Sequence, residues 1–239
     1  RRIGYLEKYT ESIPAIHDWQ DRQKLGFSFR YNYNHSWMKT VPASLFKTHP
    51  DWFAMINGKR LPPEKAPQGR YKLETTNPEL VRYYADKAIA AFKADPHQNT
   101  YSLSPSDSRG YSESPESEAL KEPNPSTIFD PESTAGAPSI TPLMLKFYHD
   151  ISAIVAKEYP QGKLAGYLYQ DYLYPPRSGK MSLPENFIPM VAPGITSGYG
   201  LYRNGTREKL EYILNGWSKV IPDKWFFYAL PNQIMEKWG

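Results

Sequence analysis

The feature that most constrains the fold is an alternation of strand-like and helix-like segments along the chain. Residues 26–34 alternate strictly between aromatic and polar side chains, and this period of two is typical of a β-strand. Apolar segments bounded by turn-forming residues predict further strands at 99–104, 164–172, 187–192 and 225–230.

Helices are predicted between these strands from their apolar spacing and their first residues. Asn77-Pro78 is a usual helix start, because the Asn side chain caps free backbone amides and Pro has no amide to cap. Thr141-Pro142 repeats this start, Thr206 is predicted to cap another helix, and apolar spacing predicts a helix over 11–25. Alternating strands and helices indicate a parallel sheet covered by helices.

Polar residues follow several of the predicted strands, after Tyr33, Ser104 and Tyr169. Because active sites of (β/α)8 barrels lie at the carboxyl ends of the strands, this placement favours an α/β fold that is (β/α)8 TIM-barrel-like. An open doubly wound sheet is disfavoured, since no Gly-rich nucleotide-binding fingerprint is present. About five strands are recognisable, fewer than a full barrel has. We therefore expect a single barrel-like catalytic domain over 1–239 that is incomplete or a fragment of a longer chain.

Composition and charge exclude several classes of function. The formal net charge of +4 comes without a basic block, which argues against nucleic acid as a partner. No apolar run reaches the roughly 18 residues of a membrane-spanning helix. The absence of Cys removes disulfides, thiolate metal sites and Cys nucleophiles. No side-chain cluster has the spacing of metal ligands, so we predict neither a metal nor a cofactor.

The aromatic content suggests a carbohydrate as the partner. The chain has 19 Tyr and 6 Trp, whose flat faces and polar edges suit stacking on sugar rings, although a large α/β core also buries many aromatics. The oligomeric state is left open. The chain begins without Met and stops abruptly at Gly239, so we expect a fragment of a longer protein whose targeting signal is missing from this sequence. We expect a secreted or periplasmic location.

Candidate catalytic carboxylates follow two consecutive strands. Glycoside hydrolysis usually needs one carboxyl group that protonates the leaving oxygen and a second that acts as a nucleophile or base. Asp107 ends the strand at 99–104, and Asp171 ends the next strand. Glu113 and Glu116 lie in the loop after Asp107. The alternative interpretations are a loop-capping role for Asp107 and a solvated acidic loop for the two Glu residues.

Candidate substrate-binding side chains lie at the end of the strand over 164–172 and at the strands over 26–34 and 225–230. His35 could bind a substrate hydroxyl or carboxylate or transfer a proton, or it could simply fix its loop. The tyrosines are candidate sugar platforms, with core packing as the alternative. The substrate-binding candidates are His35, Asn34, Trp37, Tyr169, Gln170, Tyr172 and Tyr228.

Five ordered motifs give the chain a resemblance to a known family. The segment 49–60, HPDWFAMINGKR, resembles the pattern HPEWFAL-nGkR, and it is followed by Thr76-Asn-Pro-Glu79 at a helix start. Ser102-Leu-Ser-Pro-Ser-Asp107 then resembles SvSPnD, and matches at a helix end, 154–160, and at a strand, 167–170, complete the set. These motifs resemble the domain-of-unknown-function 4838 family, predicted glycoside hydrolases of bacterial polysaccharide degradation.

The resemblance implies a TIM-barrel catalytic domain and glycoside hydrolase activity, with Asp107 at the position of the family Asp. One departure concerns the segment after it, where many relatives have C-x-C-x-x-C and this chain has residues 112–117, SESPES. We therefore predict a glycoside hydrolase that acts on a polysaccharide or oligosaccharide. A uronic-acid-containing glycan is a refinement that rests on the resemblance to α-glucuronidase barrels. The alternative is a carbohydrate-binding protein on a degenerate barrel that has lost its chemistry.

Overall fold

The structure is a computed structural model that describes Arg22 and residues 32–95, 98–129, 137–177, 181–193, 205–221 and 226–227. All of these except Arg22 belong to one compact unit, residues 32–239. The helix predicted over 11–25 and most of the strand predicted over 26–34 lie outside the described residues. The single domain expected over 1–239 stays a prediction.

A short antiparallel hairpin is formed by β1, Met55–Ile56, and β2, Lys59–Arg60. The turn between them consists of Asn57 and Gly58, which both have positive φ angles, 49° and 73°. A two-residue turn of this kind requires a left-handed backbone at both positions, which Asn and Gly adopt most readily. The tight turn predicted from this dipeptide is confirmed.

The main sheet is parallel and has four strands in the described residues. They are β3, Tyr101–Ser102; β4, Leu164–Leu168; β5, Phe187–Val191; and β6, Phe226–Phe227, and they lie side by side in this order. β4 and β5 are paired over their full length, whereas β3 is paired with the first residues of β4. Because all pairs are parallel, the carboxyl ends of neighbouring strands lie at the same edge.

The described helices are α1, Trp37–Thr40; α2, Pro78–Ala94; α3, Pro115–Glu118; α4, Ser126–Phe129; α5, Thr141–Glu158; and α6, Thr206–Val220. The predicted cap of α2 is confirmed, since the Asn77 side chain accepts hydrogen bonds from the amides of Glu79 and Leu80. At α5 and α6 the capping positions are Ile140 and Gly205, so the predicted caps Thr141 and Thr206 are instead the first helical residues. No helix in the described part of the chain is long and apolar enough to cross a membrane.

The hydrophobic core lies between α2, α5 and the sheet. Large side chains interlock there edge to face, as in the pairs Tyr84–Phe147 and Trp37–Phe147, with ring centroids 5.5 and 5.6 Å apart. All three side chains are fully buried. Together with the β3 and β4 backbones, this core fixes the strand ends at one edge.

The prediction of a (β/α)8 barrel is wrong. The protein is a mixed α/β protein, but its described residues form the four-stranded parallel sheet and the separate two-stranded hairpin. One physical reason lies at residues 32–34, which run along β3 without a strand ladder. The hydroxyls of Thr100, Ser102 and Ser104 instead donate hydrogen bonds to the carbonyls of residues 32, 34 and 33. A second reason is the segment between β3 and α5, whose described residues, 103–129 and 137–140, contain only short helices and an isolated bridge from Glu122 to Ser139.

Candidate functional site

The candidate site lies where β3 and β4 end beside each other. Asp107 follows β3 and Asp171 follows β4, and the parallel pairing of the two strands confirms the adjacency on which their joint prediction depended. Side chains connect the two exits directly. The Tyr169 hydroxyl donates a hydrogen bond to Asp107 Oδ1 over 3.0 Å, and Gln170 Nε2 donates to the same oxygen over 3.4 Å. The site therefore combines residues from both strand ends.

Asp107 is held by donors and positive charge on several sides. Its other carboxylate oxygen, Oδ2, lies 3.8 Å from Arg70 Nη1, which also donates to the Asp107 carbonyl over 2.8 Å. The Ser108 hydroxyl in turn donates to the Arg70 carbonyl over 2.7 Å. About half of the Asp107 side chain is exposed, 47%. Asp107 is thus an anchored carboxylate that solvent still reaches.

Asp171 lies in a drier environment than Asp107. Burial raises the pKa of the Asp171 carboxyl, and the positive charges of Arg109 and Lys72 oppose this rise without cancelling it. The residue before it, Gln170, has a φ angle of +52°. A left-handed backbone at a non-glycine residue is strained, and such strain is often found at functional sites. The Asp171 carboxyl at this strand end therefore holds its proton up to a higher pH than an exposed Asp would.

Lys72 is a site residue that the sequence analysis missed. It is 3% exposed, and its ammonium group donates to the Ser106 carbonyl and lies 4.4 Å from the centre of the Tyr111 ring. Burial lowers the pKa of Lys72 to about 7, although the charges of Asp107 and Asp171 counteract this shift. No sequence signal marks it clearly, because it lies in an irregular segment; its one hint is a position between the apolar neighbours Tyr71 and Leu73.

His35 lies beside the Asp107 exit, as its prediction as a binding residue requires. Its Nδ1 is 2.5 Å from the Pro105 carbonyl oxygen, and its ring centroid is 6.0 Å from that of Tyr169. Asn34 is exposed next to it, and its carbonyl accepts a hydrogen bond from Ser102. Both residues therefore border the two strand ends.

Trp37 and Tyr172, both predicted to bind substrate, lie in the core, which for Tyr172 is the alternative that the sequence left open. Both are fully buried, and the Trp37 indole donates to the Leu103 carbonyl over 2.8 Å. Tyr172 packs edge-on against Tyr169, with ring centroids 5.3 Å apart. In this structure both side chains pack in the core and do not face solvent. Tyr228 lies outside the described residues.

Glu113 belongs to the hairpin rather than to the paired strand ends. Its Oε2 accepts a hydrogen bond from the Asn57 amide over 2.7 Å, and its own amide donates to the Met55 carbonyl. Glu116 is exposed on α3. Glu113 thus ties the β1–β2 turn to the loop, and its predicted catalytic role receives no support from these contacts.

The serine-rich segment 112–117 surrounds a buried carboxylate that the sequence analysis did not single out. Glu74, 3% exposed, accepts hydrogen bonds from the hydroxyls of Ser112 and Ser117 over 2.6 and 2.7 Å. Arg60 donates to it over 2.6 Å, and Thr76 donates over 2.7 Å. This segment therefore has a structural role, which is to hold the hairpin, Glu74 and α3 together. No group of three or more His, Asp and Glu side chains within the described ranges could hold a metal ion.

These features define a class: a mixed α/β protein with polar and carboxylate side chains at the carboxyl ends of adjacent parallel strands. The chain belongs to the family described as a domain of unknown function, DUF4838, whose sequence model matches residues 1–234 of 239. The resemblance inferred from the ordered motifs is thereby confirmed. No curated protein and no solved structure matches the chain.

Proposed function

We propose that the protein is a glycoside hydrolase whose chemistry depends on Asp107 and Asp171. The observation that carries the proposal is that these two carboxyl groups follow adjacent parallel strands and have unlike environments. Hydrolysis of a glycosidic bond requires two carboxyl groups in different protonation states. Environments that favour opposite protonation states are the usual means of assigning an acid and a base.

The environments suggest which residue has which role. Burial raises the pKa of Asp171, so this residue is suited to be the general acid that protonates the leaving oxygen. Asp107 accepts hydrogen bonds from Tyr169 and Gln170, faces Arg70 and is half exposed, so it is suited to be the nucleophile or base. Tyr169 supplies an aromatic ring directly beside this carboxylate.

The charges around the two carboxylates favour an acidic sugar. Arg70 lies beside Asp107, while Arg109 and Lys72 attract Asp171. The three basic groups exceed the two acidic ones, and both Arg side chains are exposed. Guanidinium groups bind carboxylates in a bidentate manner. A uronic-acid residue in the glycan would supply the carboxylate that balances this charge.

A glycan panel tests the proposed function. Purified protein would be incubated with neutral and uronate-containing oligosaccharides, and reducing ends would be measured over time. We expect hydrolysis of a uronate-containing substrate, and we expect Asp107→Asn to reduce kcat/KM by at least about 100-fold, the lower end of what acid–base catalysis contributes. Glu113→Gln and Glu116→Gln are the matched controls and should keep parental activity, because their contacts lie on the hairpin and α3.

The rival function is binding of carbohydrate without catalysis. Saturable binding of an oligosaccharide in calorimetry, with no new reducing ends from the wild-type protein across the panel, would replace the hydrolase proposal with this one. Parental activity of Asp107→Asn on a hydrolysed substrate would refute the role given to Asp107.

A further inference from the structure

We propose that Lys72 is a positioning residue of this site, whose ammonium group fixes the Ser106–Asp107 backbone and whose positive charge acts on Asp171. Any catalytic effect of Lys72 rests on the proposed function, to which this inference adds one further residue and a dependence on pH. We call Lys72 a positioning residue because its side chain is 3% exposed and therefore cannot contact a polysaccharide directly.

The backbone contacts explain how Lys72 acts on Asp107. Its ammonium group donates to the carbonyl of Ser106, the residue immediately before Asp107. The Ser106 hydroxyl donates back to the Tyr71 carbonyl over 2.6 Å. Segments 70–72 and 106–108 are therefore joined in both directions, so the position of the Asp107 backbone depends on the Lys72 side chain.

The ring contacts explain why Lys72 can carry its charge in a buried place. Its Nζ lies 4.4 Å from the centre of the Tyr111 ring and 5.9 Å from that of Trp37, where the negative faces of the rings attract a cation. The Tyr111 hydroxyl is 3.4 Å away. These partners compensate in part for the lost hydration of the ammonium group.

The charged groups that face Lys72 are Asp107 and Asp171, which favour its protonated form, and Arg70, which disfavours it. Asp171 also faces Arg109. Burial prevails and lowers the pKa of Lys72 to about 7. In acid Lys72 is charged, and its charge stabilises the Asp171 carboxylate. As the pH rises through about 7, this charge is lost.

Carbon-13 NMR titration of the full chain, without any glycan, tests the inference. In the wild-type protein the Lys72 side chain should titrate near 7, well below the ordinary value of 10.5. In Lys72→Met the pKa of the Asp171 carboxyl should rise by about one unit, since a neighbouring positive charge typically lowers a carboxyl pKa by that much or more. In Lys72→Arg the pKa of the Asp171 carboxyl should stay close to its wild-type value. Lys65→Met, which removes an exposed lysine, should leave this pKa unchanged.

The reciprocal measurement follows the pKa of Lys72 in an Asp171 variant. It does not require that a Lys72 variant folds. Asp171→Asn removes a negative charge that faces Lys72, so the pKa of Lys72 should fall further below its wild-type value. A wild-type Lys72 that titrates at its ordinary value would overturn the inference. An Asp171 carboxyl titration that does not shift in a folded Lys72→Met protein would overturn it too, since a nearby charge must perturb it.

Activity then separates this inference from the proposed function. On a glycan that the wild-type protein hydrolyses, Lys72→Met should lower kcat about tenfold with a smaller change in KM, and Lys72→Arg should restore part of the loss. An absence of hydrolysis on every glycan would refute the proposed function alone, because the titrations decide the role of Lys72 without a substrate.

Discussion

Glu74 and Asp171 show how burial has opposite outcomes for two acidic side chains. Burial by itself raises the pKa of Glu74, but hydrogen bonds from Ser112, Thr76, Ser117 and Arg60 outweigh it and hold the pKa below its usual value. At Asp171 the charges of Arg109 and Lys72 are insufficient, and the pKa rises. A carboxylate with a full set of donors stabilises the fold, whereas one that lacks them is available for proton transfer.

Glu74→Gln should destabilise the protein by about 3 kcal/mol at neutral pH, the typical cost of breaking a buried ion pair. The folded-state pKa of Glu74 is lowered, so its stabilising contribution is full above the ordinary value of 4.5 and is lost as the pH falls through the folded value. The unfolding free energies of variant and wild type should therefore converge in acid. Urea denaturation over pH 3–7 measures this, with exposed Glu64→Gln as the control; a constant difference across this range would contradict the assignment.

At the residue scale the sequence predicted the two acids at the strand ends but neither the basic Lys72 nor the buried Glu74. Asp107 and Asp171 were identifiable because each follows a recognisable strand. Lys72 and Glu74 belong to an irregular segment, where no periodicity distinguishes a buried charge from a solvated one. Their burial depends on contacts with residues 106–117, more than thirty positions further along the chain.

At the element scale, two local rules were reliable, whereas the predicted caps Thr141 and Thr206 and the described end of the strand over 26–34 were not. The β1–β2 turn and the start of α2 follow from backbone preferences of two or three residues, and both are confirmed. The alternation over 26–34 indicated an extended backbone, yet the described residues 32–34 bond to serine and threonine hydroxyls near β3 instead of forming a ladder. Periodicity reports the conformation of a segment but does not specify its partner.

The docking of α6 near the site gives a prediction about Gly216. A Cβ at this position would overlap the Pro175 ring, and the adjacent Trp217 indole donates to the Leu173 carbonyl over 2.7 Å. Gly216→Ala gains about 1 kcal/mol of helix propensity. Overpacking typically costs about 1–3 kcal/mol, so we expect a net loss of stability of roughly 1 kcal/mol.

Thermal and urea unfolding of Gly216→Ala measure this balance. Asn215→Ala, at the exposed neighbouring position of the same helix, is the control and should be neutral or slightly stabilising because Ala favours the helix. A Gly216→Ala protein at least as stable as the wild type would show that α6 does not pack closely on Pro175.

At the scale of the whole molecule, the mixed α/β class and the polar strand ends were predictable, whereas the closure of the sheet was not. The order of strands and helices is a local property, but closure depends on which strands pair over long distances. The described strands form an open order from β3 to β6, and the segment after Asp107 packs on the β1–β2 hairpin. The relation between Asp107 and Asp171 survives this correction, because it requires only that β3 and β4 be parallel neighbours.

In the proposed mechanism Asp171 donates the proton to the leaving oxygen and Asp107 acts as the nucleophile or base. The most direct measurement compares kcat/KM of Asp171→Asn on an oligosaccharide that the wild-type protein hydrolyses and on an aryl glycoside of the same sugar, whose leaving group needs no protonation. We expect a loss of about 100-fold or more on the oligosaccharide and a much smaller loss on the aryl glycoside. Equal losses on both substrates, or parental activity on the oligosaccharide, would contradict it.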